Sequence, residues 1–221
     1  MAKMDHDYRL NIVLVGDNQC GKSFLLSRYC DGMFVENGIQ LWHGIEIKNK
    51  IIELKNQSTN EIVKVKLMIF DGNGGCKFKE LFYENYLKHQ HGFIIMYDVT
   101  NLESFNNLSN WISKIKNSYQ TSNLYPSPEP ILFIVGNKCD LIDDSKITTI
   151  VDLKKPQEFC DSLSIPSIHN VSVKENINVD LIFQKLSQLI MDTYPPPKIS
   201  EIKKIKNVDS GGDSINNCII N

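Results

Sequence analysis

Gly16-Asp17-Asn18-Gln19-Cys20-Gly21-Lys22-Ser23 reads G-x-x-x-x-G-K-S and directly follows the apolar run 10–15. Strand, glycine-bounded turn and helix in that order make a phosphate-binding loop. Gly16 and Gly21 let the backbone curl, so that the N–H groups of Asp17, Asn18, Gln19 and Cys20 and the N-terminus of the following helix surround an anion. Lys22 supplies a compact positive charge for the β- and γ-phosphates, and the Ser23 hydroxyl is placed to complete a Mg²⁺ shell. An ordinary strand–turn–helix corner does not account for the spacing, the Lys-Ser pair and the flanking pattern together. The chain is therefore expected to bind a nucleotide.

Further along, Asn137-Lys138-Cys139-Asp140 closes the run 131–135. A carboxylate can accept two hydrogen bonds from the N1–H and exocyclic amine of guanine, a pair of donors that adenine does not offer. Asp140 would select GTP over ATP, Asn137 would tie this loop to the base and the phosphate loop, and the Lys138 stem can lie along the purine face. The N-K-x-D stretch resembles the guanine-binding motif of small GTPases. Ser172-Val173-Lys174, after another short strand, resembles the S-A-K loop of the same family, which implies contacts to the base edge through backbone groups. An ATP-using kinase or ATPase is disfavoured by Asp140 and by the absence of an acceptor-substrate lid.

With 221 residues, 42% of them hydrophobic, the chain suffices for one good core, and a net charge of −2 gives no reason to expect a nucleic-acid partner. Six cysteines without metal-like spacing read as reduced thiols. His89-Gln90-His91 reads as a polar lead-in to a strand, so no metal beyond Mg²⁺ is assigned. No apolar run approaches the length of a membrane span and no signal-peptide pattern opens the chain, so attachment to a membrane is expected to be added later.

The coarse pattern alternates strands and helices. Strands fall at 10–15, 93–98 and 131–135, with a hairpin of 45–54 and 61–70 about the polar turn 56–60. Helices fall at 21–30, near 79–87, at 102–119 with Trp111 in the core, near 157–163 and at 179–193. Three prolines make 119–130 a surface connection. About six strands, mostly parallel with one antiparallel edge strand and helices on both faces, predict an α/β fold with the nucleotide at the strand C-terminal ends.

The resemblance narrows to the Rab branch of the Ras superfamily and a P-loop GTPase fold through several stretches. They are Gly16-Asp17, Gly44-Ile45-Glu46-Ile47-Lys48 where Rabs show G-V-D-F-K, Tyr97-Asp98-Val99-Thr100, Glu103-Ser104-Phe105, and Gly136-Asn137-Lys138-Cys139-Asp140-Leu141. It implies a GTP/GDP switch that marks membranes during vesicle traffic. It also implies an exchange factor, effectors, prenylation machinery and a GDP-dissociation inhibitor as partners of a monomer. Phe34 would cover the guanine. Asp71 would hold Mg²⁺ through water, and the N–H of Gly74 would meet the γ-phosphate.

Three departures qualify that picture. The family's switch threonine falls on Trp42, or on Leu41 without an insertion, and neither can ligate Mg²⁺. Asp71-Gly72-Asn73-Gly74-Gly75-Cys76 stands where Rabs carry D-T-A-G-Q-E, so Gly75 replaces the water-orienting glutamine. Asn18 stands where the most active hydrolases prefer glycine. Two function classes follow: a Rab-like GTPase with slow intrinsic hydrolysis, or a non-hydrolysing GTP-binding module acting as a persistent membrane-bound scaffold.

Pro195-Pro196-Pro197 predicts the end of the last helix and of a G domain covering 1–194. Residues 195–221 read as a disordered tail, with Lys198, Lys203, Lys204 and Lys206 ahead of Cys218-Ile219-Ile220-Asn221. That ending is a C-a-a-X pattern with an uncommon last residue, so Cys218 is the expected lipidation site and the choice of prenyl group stays open. The expected location is the cytosol and the cytoplasmic face of an intracellular or plasma membrane.

Overall fold

The central strand β1 (Tyr8–Gly16) begins with alternating burial and ends buried throughout, because both faces of the sheet are covered. Leu10, Ile12 and Leu14 join a core with Leu25 and Leu26 of α1 (Lys22–Asp31), while Val13 and Val15 join the opposite core. The computed structural model describes residues 5–35, 45–72, 87–88, 90–120, 128–142, 151–152, 154–166 and 168–201. Trp42, Leu41, Gly74, Gly75, His89, Cys218, Lys203, Lys204, Lys206 and nearly all of the helix expected near 79–87 lie outside them.

After α1 come β2 (Ile45–Lys55) and β3 (Ile62–Gly72), an antiparallel pair. Asn56 shapes their turn by accepting the N–H groups of Ser58 and Thr59 on its side-chain oxygen. Then follow β4 (Gly92–Asp98), α2 (Leu102–Asn106), α3 (Leu108–Gln120), β5 (Ile131–Asn137), α4 (Lys154–Ser162), β6 (Ile168–Val171) and α5 (Val179–Thr193). The six strands run in the order β2-β3-β1-β4-β5-β6, and every pair except β2–β3 is parallel. The expected α/β architecture with one antiparallel edge strand is the one observed. α1 and α5 cover one face, and α2, α3 and α4 the other.

Two helices differ from expectation. The single helix expected over 102–119 is broken at Asn107, whose side chain is drawn to Asp17 in the phosphate loop, Nδ2 donating over 2.7 Å. α4 starts earlier than expected because the Asp152 carboxylate accepts the Lys154 N–H at 3.0 Å and caps it, and Pro156 is tolerated in the first turn. α5 ends at Thr193, immediately before Tyr194 and the three prolines. Beyond them the chain turns back on the domain: the Ile199 N–H donates to the Asp7 carbonyl at 3.0 Å.

Candidate functional site

β1 delivers the phosphate loop to the point where strand order reverses, with β3 on one side and β4 on the other. Gly16 has φ 139°, and a Cβ there would lie 2.2 Å from the Met96 carbonyl oxygen. At Gly21, φ 93°, a Cβ would lie 2.2 Å from the Asn137 side-chain nitrogen. Both positions therefore exclude a side chain by contact as well as by backbone conformation. Gln19 also sits at positive φ, 66°. The Lys22 ammonium is buried and folds over the loop, donating to the carbonyls of Gly16 at 2.9 Å and Asp17 at 2.7 Å.

The loop is braced from outside by Asp17. Its carboxylate accepts the Trp111 indole N–H at 2.8 Å and the Asn107 amide. Trp111 is a core residue as expected, with a polar edge committed to the phosphate loop as well. A polar cavity of about 320 Å³ flanks the loop on this side, lined among others by Asn18, Asn101 and Glu103.

At the end of β3, Ser23 Oγ donates to Asp71 Oδ2. Asp71 is 2% exposed and its other carboxylate oxygen has no hydrogen-bond partner. Burial pushes this carboxyl above its usual range, opposed by the Ser23 hydroxyl and the Lys22 charge. A hydroxyl beside a buried carboxylate with an unused oxygen is a hard-oxygen donor set that fits Mg²⁺.

Asn137, 3% exposed, joins the two halves of the site. Its Nδ2 donates to the Cys20 carbonyl at 2.8 Å, and its Oδ1 accepts the Val173 N–H at 3.2 Å. One side chain thus ties the 137–140 loop to the phosphate loop and also to the 172–174 loop, a second link that the sequence did not announce. Asp140, on the short 3₁₀ turn Cys139–Leu141, holds a buried Oδ1 with no partner.

Lys138 sits at φ 68°, and its ammonium, at the end of the stem expected along the purine face, is paired with Asp98. Asp98 is buried, and its second oxygen accepts Thr100 N–H and Oγ1–H at 2.9 and 2.7 Å, so the carboxylate is fully partnered. In the 172–174 loop the Ser172 and Val173 N–H groups are engaged by Ile177 O and Asn137 Oδ1. The Ser172 hydroxyl accepts the Glu175 N–H.

Phe34 packs on Phe24, ring centroids 5.1 Å apart. Arg28 was not singled out from the sequence. It donates to the carbonyls of Val173, Lys174 and Gly32, and its guanidinium carbon sits 5.3 Å from the Phe34 ring centroid. Nothing local could have found it, since a basic residue in the last turn of a helix already suits the helix dipole. Cys20 and Cys139 are free, and burial raises both thiols above their ordinary range, so neither is primed as a nucleophile. No cluster of three metal-ligating side chains occurs among the described residues.

The profile of the Ras family matches residues 11–192. The Ras-related protein RabT1 of Dictyostelium discoideum is 39% identical over 186 residues, which is 84% of this chain and 76% of its own. The Ras-related protein Rab-1C of the same organism is 35% identical over 86% of this chain and 85% of its own. The GTP-binding protein ypt1 of Schizosaccharomyces pombe is 31% identical over 97% and 98%. A phosphate loop at the reversal point of a six-stranded sheet, with this match across its length, defines the class: the chain belongs to the Ras family. Its similarity to Rab and Ypt proteins makes it a Rab-type small GTPase of vesicle traffic, and the persistent-scaffold alternative is not favoured. The family binds GTP or GDP, usually with Mg²⁺, and works with exchange factors, effectors and a GDP-dissociation inhibitor. No described helix is long and apolar enough to cross a membrane.

Proposed function

We propose that this Rab-type chain holds a guanine nucleotide with Mg²⁺ across the C-terminal ends of β1, β3, β5 and β6, and that its intrinsic GTP hydrolysis is slow. The observation that carries the reading is Asn137, one buried amide bonded at once to the phosphate loop and to the 172–174 loop. On either side of it stand two carboxylates that each hold a buried, unused oxygen, Asp71 and Asp140. Residues 16–23 cradle the phosphates, and Lys22 exchanges its carbonyl partners for the β- and γ-phosphates. Ser23 and, through water, Asp71 would hold Mg²⁺, which would supply positive charge beside the phosphates. Asp140 accepts the guanine donors, and Phe34 and the 172–174 loop close around the base. Gly74 offers its N–H to the γ-phosphate.

Slow hydrolysis follows from Gly75, which has no side chain to orient the attacking water. Losing one preorganised catalytic group costs on the order of 10²–10³ in rate. Trp42 or Leu41 removes a hydroxyl that would order the first switch. Protein purified natively should contain GDP or GTP and no adenine nucleotide, and single-turnover hydrolysis should lag ordinary Rab proteins, with Gly75→Gln restoring only part of the rate. Guanine-free protein would refute the binding role; an ordinary rate would refute the catalytic deficit.

The membrane role rests on Cys218, prenylated and assisted by Lys198, Lys203, Lys204 and Lys206. One lipid chain holds marginally, and each basic residue adds about 1 kcal/mol near an anionic surface. Attachment to cytoplasmic membrane faces should be salt-sensitive and lost in Cys218→Ser. Unchanged fractionation of that variant, with an unmodified intact mass for the wild type, would refute the anchor.

A further inference from the structure

The 172–174 loop is held from two sides. Asn137 takes the Val173 N–H on the inner side, while Arg28 takes the Val173 carbonyl with Nε at 3.0 Å and the Lys174 carbonyl with Nη2 at 2.8 Å. The third arm of the same guanidinium, Nη1, reaches the Gly32 carbonyl at 3.2 Å. Gly32 is the left-handed cap of α1, φ 71°, where the chain leaves the helix toward Phe34. Phe34 in turn lies against the guanidinium. Two segments separated by some 140 positions are thus joined by one planar, permanently charged fork, a geometry that lysine cannot reproduce.

We propose that Arg28 is a positioning residue that latches the 172–174 loop to the Gly32–Phe34 turn, so that its guanidinium sets how long a guanine nucleotide stays bound. The inference rests on the guanine-nucleotide reading above and extends it to a residue outside the family's nucleotide motifs. Both joined segments flank the base, so a nucleotide leaving by its base end must part them. Parting them breaks hydrogen bonds that carry a full charge on the donor. On this reading the latch closes over a base already seated, so its loss is expected to act on release more than on association.

The test uses the full chain loaded with fluorescent GDP, with release measured on chasing with excess GDP and association measured by stopped flow. Arg28→Ala should release about ten- to hundredfold faster, the range expected for losing charged hydrogen bonds. The association rate constant should stay within about twofold, a split that general unfolding would not produce. Arg28→Lys should fall between, because a point charge can serve only one carbonyl at a time. Arg28→Ala combined with Phe34→Ala should accelerate release by less than the product of the two single effects, since each removes part of one latch.

Release at the wild-type rate in Arg28→Ala would overturn the latch. So would faster release matched by an equally impaired association and a lowered melting temperature of the nucleotide-free protein. Wild-type protein that binds no guanine nucleotide would instead bring down the reading beneath it, which the same loading step reveals.

Discussion

Asp140 carries one buried carboxylate oxygen with no protein partner. An acceptor left in that condition costs about 1–3 kcal/mol, and a ligand with two adjacent donors recovers that cost and adds charge-assisted bonds. Asp140→Asn turns one acceptor into a donor. Affinity for GDP should fall by about a hundredfold or more, at roughly tenfold per 1.4 kcal/mol lost. Affinity for xanthosine diphosphate, which presents a carbonyl where guanine has its amine, should rise. Competition binding of both nucleotides to wild type and variant checks this; equal losses for the two bases would mean that Asp140 does not face the base edge. The residue-level site was legible where chemistry is encoded by short spacing, as in residues 16–23 and Asn137 to Asp140. It was not legible where the partner is remote. Trp111 reads as core from its helical spacing, and only the fold reveals that its N–H ends on Asp17. Lys138 reads as a stem that can lie along a purine, and only the fold reveals that its ammonium pairs with the buried Asp98 carboxylate.

Element boundaries followed the same division. β1 and α5 were predictable from apolar period and proline punctuation, whereas the break at Asn107 depends on a hydrogen bond to a loop 90 residues earlier. At the far end of the sheet, His91 stitches three strands before pairing begins. Its N–H donates to Asn11 O, its Nδ1 accepts the Asn11 N–H, and its carbonyl accepts the Ile131 N–H. Burial, assisted by the charge of Arg9, pushes the imidazole pKa down to about 4 from 6.5. The unfolded chain therefore takes up a proton below about pH 6.5, while the folded chain resists it until about pH 4. Stability from this group is complete above that window and lost as pH falls through it, by up to about 3 kcal/mol. His91→Asn keeps an acceptor for the Asn11 N–H without a titrating group. Urea midpoints measured from pH 7 to pH 4 should decline less steeply in the variant than in the wild type; parallel declines would count against a neutral His91.

On the scale of the whole molecule, the site is assembled from both halves of the sheet. β1 and β3 bring the phosphate loop and Asp71, β5 and β6 bring Asp140 and the 172–174 loop, and the carboxylates at each end are only partly partnered by protein. A ligand that bridges these parts binds only the folded state. At a free concentration 1,000-fold above Kd, GDP with Mg²⁺ should add about 4 kcal/mol of stability, or roughly 8–16 °C in melting temperature for a domain of this size. ADP at the same concentration should add little, and chelating Mg²⁺ should remove part of the GDP effect. Equal shifts from GDP and ADP would contradict base selection by Asp140. The brace between Trp111 and Asp17 has an optical consequence too. The sequence contains two tryptophans, so replacing Trp42 with Phe leaves a single indole whose N–H is held by a phosphate-loop carboxylate. Indole emission shifts when that bond changes length or the surrounding field changes sign, so Trp111 would serve as a dye built into the chain, reporting without a label any nucleotide arrival that moves the phosphate loop.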